Sequence, residues 1–164
     1  MVAIYIFAGA AMAFVLRALF VRALLFKLRR DIAQLNTGNY TPLLQGYSAD
    51  AVLHFNEGEH RWAGEHRGKP AIERFLRDFT TAGLQGELTD FWIAGPPWSL
   101  RLAARFNDEA HDPQGNLLYR NRTALVAQTR WGKITEQWDF YEDTGRIAEL
   151  EKSLVELGVA PASA

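Results

Sequence analysis

Two periodicities divide the chain. From Val21, apolar Leu25, Leu28, Ile32 and Leu35 recur at helical spacing, and Gly38 ends the run. Thr41 is placed to cap a short helix continuing through Gln45. A strand is expected over Asp50 to Phe55, where Val52, Leu53 and Phe55 carry β-propensity. A polar loop with His60 and His66 follows, punctuated by Gly58, Gly64 and Gly68. Pro70 then opens a helix whose apolar face is Ile72, Phe75, Leu76 and Phe79. Beyond Gly83 and Gly86 the pattern turns to alternation. Leu88 to Ala94, Ser99 to Asn107, Leu117 to Arg130 and Lys133 to Glu142 read as strands, the last two joined at Trp131-Gly132. Thr144 is placed to cap a final helix with the face Ile147, Leu150, Leu154 and Leu157, stopped by Gly158. Helices first and a strand meander afterwards is an α+β order, here a curved antiparallel sheet closing over helices as a cone.

The first residues follow neither period. Val2 to Leu16 carries no charge and is apolar all round, so as a helix it needs lipid or protein on every side. A span takes about 20 apolar residues, and Arg17 can snorkel to extend this one. The expected organisation is therefore an apolar N-terminal helix at 1–20, read as a membrane anchor with membrane contact through residues 2–21. A folded domain at 21–158 and a disordered tail at 159–164 complete it. The alternative reading makes the first helix a partner-binding element. Arg17, Arg22, Lys27, Arg29 and Arg30 follow the apolar run, which by the positive-inside rule places the domain on the cytoplasmic face of a membrane, or in the cytoplasm.

Charge sharpens this division. The 164 residues carry a net charge of −1, but every acid lies at or after Asp31. Residues 31–164 therefore hold 13 bases against 19 acids, which argues against a nucleic-acid partner. The absence of cysteine excludes disulfides, thiolate nucleophiles and Cys-ligated zinc. His60 and His66, with Glu57 and Glu59, lack metal-binding helical spacing and read as a solvated loop, so neither metal nor cofactor is expected.

The segments LNTGNYTPLLQGYSADAVLHF (35–55), AGEHRGKPAI (63–72) and WGKITEQWDFYEDT (131–144), in this order, resemble the nuclear-transport-factor-like superfamily. That superfamily includes SnoaL-like polyketide cyclases and ketosteroid isomerases. The resemblance implies a cone-shaped α+β fold, a small-molecule pocket and a homodimer formed through the outer sheet face. It also implies a departure. The position of the isomerases' oxyanion tyrosine falls on Asp31, and that of their catalytic base falls on Phe55. Neither residue can take the corresponding role, so steroid isomerisation is disfavoured.

With a regular hairpin at Trp131-Gly132, Asn121, Thr123, Leu125, Ile134, Glu136, Trp138 and Phe140 share one face. That set is the more apolar and is expected to look inward, bringing Glu136 and Asn121 to the pocket. A carboxylate beside Trp138 would have its pKa raised and could serve as acid or base. His54 and Asp139 complete the candidate catalytic set. The first is a histidine, a residue type that could exchange protons or equally serve as a wall residue, and the second belongs to the strand from which the resembled family draws an acid. Asp31, Phe55, Trp92, Arg105, Asn121 and Trp138 are the candidate ligand-binding residues. Arg105 alternates with Arg101 on one strand and either binds an anion or pairs with acids across a subunit interface. The expected function is proton-transfer chemistry (cyclisation, isomerisation or dehydration) on a small apolar molecule. The alternative is a non-enzymatic binding or assembly domain tethered to a membrane.

Overall fold

The computed structural model describes residues 2–112 and 114–161, with side chains placed for all of these except 2–11, 13 and 14. The chain divides into two units, residues 1–30 and 31–164. Helix α1 spans Val2–Asn36 and supplies all of the first unit's described structure. The anchor expected at its start falls largely on side chains outside the described residues. Among the described residues, no helix is long and apolar enough to cross a membrane.

The second unit begins with the last residues of α1, which end as expected before Gly38 at positive φ. Then come α2 (Thr41–Leu44), β1 (Tyr47–His54), β2 (Glu65–Arg67) and α3 (Gly68–Thr81). Strands β3 (Leu84–Ala94), β4 (Arg101–His111), β5 (Leu117–Arg130) and β6 (Lys133–Tyr141) precede α4 (Gly145–Glu156). The six strands form one sheet in the order β2-β1-β6-β5-β4-β3. Only the β1–β6 pairing is parallel. Helix α3 packs on β1 and α4 on β5. Between them and the inner sheet face lie Leu53, Trp62, Ile72, Ile147, Leu150 and Leu154, all buried. Each such side chain withdrawn from water stabilises the fold by roughly 1.5–3 kcal/mol.

Several expectations are corrected here. Thr41 is the first residue of α2 and Tyr40 holds its N-cap position, whereas Thr144 does occupy the N-cap of α4 but makes no side-chain capping bond. Ahead of α4, the Asp143 carboxylate instead accepts from the Gly145 N–H at 3.0 Å. His66 is not in a loop but in β2, paired with Leu53. The polar sequence Glu65-His66-Arg67 has little intrinsic β-propensity, and its pairing with β1 makes it a strand. Strand β4 runs four residues beyond the expected Asn107, to His111. The C-terminal segment is also held further than residue 158: the Val159 N–H donates to the Leu154 carbonyl at 2.9 Å.

That anchoring involves the loop after β1. The Arg61 side chain is 2% exposed, and its Nε donates to Glu151 Oε2 of α4 at 2.8 Å. Its Nη2 donates to Glu151 Oε1 at 3.1 Å and to the Val159 carbonyl at 2.8 Å. A planar guanidinium can satisfy a carboxylate and a carbonyl together, which an ammonium cannot do with this geometry.

The hairpin between β5 and β6 decides what the inner face carries. Trp131 and Gly132 both take positive φ, 50° and 76°, as a two-residue turn of the primed type needs. Arg130 pairs with Lys133 and Thr129 with Ile134, but Gln128 then pairs with Glu136. Thr135 is thus an extra residue, a β-bulge, with its Oγ1 donating to the Gln128 carbonyl at 3.3 Å. Beyond the bulge every β6 side chain changes face relative to a regular hairpin. Gln137, Asp139 and Tyr141 stand opposite Ala127, Leu125 and Thr123 on the inner face, while Glu136, Trp138 and Phe140 lie on the outer one. The expected inward set is therefore right on β5 and reversed on β6 beyond Ile134.

Candidate functional site

The inner face of β4, β5 and β6 holds a row of polar groups within an otherwise apolar interior. On β4 the inward positions are Leu102, Ala104, Phe106, Asp108 and Ala110, so Asp108 is a lone carboxylate in an apolar row. It is 5% exposed and accepts a short hydrogen bond at Oδ2 from the Thr123 hydroxyl of β5. Burial raises its pKa to about 6, and the Thr123 hydroxyl offsets only part of that rise.

Asp139 lies further along the same face. Its Oδ1 accepts from Gln137 Nε2 at 2.9 Å, and Gln137 Oε1 accepts from the Tyr47 hydroxyl of β1 at 2.5 Å. Burial raises its pKa to about 7, with the nearby charge of Asp108 adding to the rise and the Gln137 amide opposing it. Tyr47 and Tyr141 are held as neutral phenols, chiefly by burial and also by the negative field of Asp139. Asp108 adds to that field at Tyr141. The result is two carboxyls displaced to neighbouring points in the neutral range. Such a pair can hold one proton ready to give while the other member stays ready to accept.

Asp108 also lines an open pocket of about 820 Å³ at one end of the sheet. The end of α1 contributes Asn36, β3 contributes Gln85, Gly86 and Glu87, and β4 contributes Asn107 and Glu109. Arg120, Asn121 and Arg122 of β5 face Glu142, Asp143 and Arg146 around the rest of the wall. The free edge of β3 is fixed there by Asn36. Its amide donates to the Gly86 carbonyl and accepts from the Gly86 N–H, both at 3.0 Å, imitating a neighbouring strand. Gly86 is needed for close approach: a Cβ at this position would lie 3.2 Å from Asp108 Oδ1. Asn121 Nδ2 donates to the Asp143 carbonyl at 2.7 Å and fixes the start of α4 against β5.

The candidate residues chosen from sequence fall into three places. His54, Glu136 and Trp138 come together, but on the outer face. The His54 ring stacks on Trp138 with centroids 5.3 Å apart, and His54 Nε2 lies 3.1 Å from Glu136 Oε1. Its Nδ1 lies 3.4 Å from Glu65 Oε2. Asp139 and Asn121 are on the inner face, the latter at the pocket. Asp31 and Phe55 are buried, and Phe55 packs against Phe75 and Tyr141. Trp92 is 54% exposed on β3, and exposed Arg105 pairs with Asp90 at 3.4 Å within this chain. The candidate residues from sequence do not include Asp108, Thr123, Gln137 or the tyrosines. The alternation Leu102, Ala104, Phe106, Asp108, Ala110 is the available signal for Asp108, and a strand that stops at Asn107 hides it.

Among the described residues, no group of three or more His, Asp or Glu side chains is disposed to hold a metal ion.

No family model matches the chain, and no curated protein matches it. Solved structures do. An NTF2-like protein of unknown function from Burkholderia pseudomallei is 15% identical, with 77% of this chain and 95% of that one aligned at a TM-score of 0.64. TerC, co-crystallised with polyporic acid, is 20% identical over 78% of this chain and 97% of its own, also at 0.64. A putative isomerase from Bacillus subtilis is 22% identical over 71% and 84% of the two chains, at 0.53. At these identities the likeness is one of fold, and the chain has the α+β, nuclear-transport-factor-like fold.

Proposed function

We propose that the domain binds a small molecule beside Asp108 and moves a proton within it, as an isomerisation, cyclisation or dehydration requires. The observation that carries this reading is the pair of buried inner-face carboxyls, Asp108 and Asp139, poised at about 6 and about 7, one of them lining a pocket. Asp108 is the group placed to meet the substrate and acts as base. Asp139 is held through Gln137 and Tyr47, and the charge of Asp108 raises its proton affinity, so it is a positioning residue coupled to the base. The name of the Bacillus subtilis neighbour agrees with such chemistry.

The test is proton exchange. A panel of small enolisable carbonyl compounds is incubated with the protein in deuterium oxide, and label at the α-carbon is followed by mass spectrometry. The expected result is exchange above buffer with at least one compound, falling on the order of 100-fold or more in Asp108→Asn. Exchange that no compound shows, or that Asp108→Asn leaves unchanged, overturns the reading.

A second reading, self-assembly through the outer sheet face, is favoured by its exposed apolar side chains: Trp92 at 54%, Val126 at 37% and Phe140 at 55% exposure. Such a surface calls for a cover. Sedimentation at high micromolar concentration should show a homodimer that Phe140→Glu dissociates. A monomer under these conditions contradicts this reading.

A further inference from the structure

The two ends of the sheet differ in charge. At the pocket end, five lining acids face three arginines. The opposite end is built by the last residues of β3 and β5, the first of β4 and β6, and the turn after α2. Residues 41–49, 91–104 and 124–135, which form it, contain no acid but hold Arg101, Arg130 and Lys133, all exposed. Arg130 and Lys133 are direct cross-strand partners, an arrangement in which like charges repel. Elsewhere in the sheet Arg67, Arg105, Arg120 and Arg122 each pair with an acid of this chain. Among the described residues Arg101 and Arg130 pair with none, and Lys133 donates to the Gln45 carbonyl at 2.7 Å. The same end carries the two most exposed tryptophans, Trp98 at 55% and Trp131 at 76%. Continuing the β4–β5 register beyond Arg101 and Gln128 sets them opposite each other, and the Trp131 N–H donates to the Trp98 carbonyl at 3.0 Å. Tight turns present both rings: Ser99 N–H closes on the Pro96 carbonyl at 2.9 Å, and Trp131 and Gly132 form the other turn at positive φ.

We infer that this end of the domain docks on the surface of an anionic lipid bilayer, with the Trp98 and Trp131 rings among the headgroups and Arg101, Arg130 and Lys133 against lipid phosphates. An indole has an apolar body and a polar N–H, which suits it to the layer between water and hydrocarbon. Bases with no acid among them supply the attraction, which salt screens. A nucleic acid fits less well, because it asks for a longer basic track. The rest of residues 31–164 holds ten bases (13 less these three) against 19 acids. The same difference in charge orients the domain, turning its pocket end away from the surface. The inference stands on the unit 31–164 alone, independent of the reading of residues 2–21 and of the proton-transfer reading.

The test uses the full chain with 5-fluorotryptophan at its five tryptophans, each fluorine signal assigned by a Trp→Phe variant. Bicelles carrying a nitroxide-labelled lipid are made either of phosphatidylcholine alone or of phosphatidylcholine mixed with phosphatidylglycerol. In the mixed bicelles the Trp98 and Trp131 signals should broaden several-fold more than those of Trp62, which is buried, and Trp138. Added salt should reverse the effect. Replacing Arg101, Arg130 and Lys133 together by glutamine should raise the lipid concentration required by about tenfold or more. Arg74→Gln combined with Lys152→Gln, which removes exposed bases of α3 and α4, should leave it unchanged. Absence of selective broadening at the two tryptophans, equal broadening with phosphatidylcholine alone, or equal weakening by the two charge variants overturns the inference, the last by showing a diffuse charge effect. A single-stranded oligonucleotide that shifts the same two signals more readily than the mixed bicelles do also overturns it, and makes the partner a nucleic acid.

Discussion

Asp139→Asn is expected to stabilise the protein at pH 8 by roughly 4 kcal/mol and to leave it unchanged below pH 4. An ordinary aspartate has a pKa of about 3.9, and burial raises that of Asp139 to about 7. The sign follows from which state holds the proton. Below about pH 4 both folded and unfolded chains are protonated there, and the stabilising contribution of the neutral acid is fully present. Between pH 4 and 7 the unfolded chain releases the proton and the folded chain keeps it, so stability falls as pH rises. Above 7 the folded chain carries a buried carboxylate, and the loss is complete at about 1.4 kcal/mol for each tenfold change in proton affinity. Asparagine reproduces the neutral form. It keeps the acceptor for the Gln137 amide, and Tyr47 still donates to Gln137. Thermal melts of both proteins at pH 4, 6 and 8 check this, with a gap on the order of 10 °C at pH 8 and none at pH 4. A variant equal to or less stable than the wild type at pH 8 would show that Asp139 is ionised and well solvated.

Arg61→Ala is expected to cost about 3–5 kcal/mol. The guanidinium is 2% exposed, and its loss leaves the Glu151 carboxylate 16% exposed without its cation. Burial pushes the Glu151 pKa up, yet the Arg61 hydrogen bonds and charge hold it below the ordinary glutamate range. Without the guanidinium, burial is opposed only by the backbone N–H of residue 61 and by His60. The Val159 carbonyl also loses its donor, so the segment after α4 should become accessible to protease. Arg61→Ala combined with Glu151→Leu should recover a large share of the loss, because no stranded charge is left. Urea unfolding of the single and double variants measures both quantities, and a single variant within 1 kcal/mol of wild type would refute the account.

How far the sequence could be read depended on how local each cause was. Helices α3 and α4 and the long strands β5 and β6 follow from periodicity, because one face of each is buried and the pattern records it. Strand β2 left no such record. Three polar residues became a strand only because β1 offered them an edge. The site turned on a single residue. Nothing in Lys133-Ile134-Thr135-Glu136 announces a bulge, whereas the consequence of Thr135 is to send Glu136 and Trp138 outward and Asp139 inward. The same residue put Glu136 and Trp138 on the surface where His54 of β1 lies, so that the three meet there, stacked and paired, away from the pocket. Asp108 was legible, since a carboxylate in an alternating apolar row is conspicuous once the strand is drawn to its full length. Tyr47 and Gln137 were not, because their role is a contact between residues 90 positions apart.

The proton-transfer account stands on the state of two carboxyls, and these can be observed directly. With carbon-13 label in the aspartate side chains, each carboxyl is titrated by nuclear magnetic resonance from pH 3 to pH 9, with Asp108→Asn and Asp139→Asn assigning the signals. The account predicts midpoints near 6 for Asp108 and near 7 for Asp139, with the Asp108→Asn variant lowering the Asp139 midpoint. Midpoints for both near 4, with no dependence of one on the other, would contradict it.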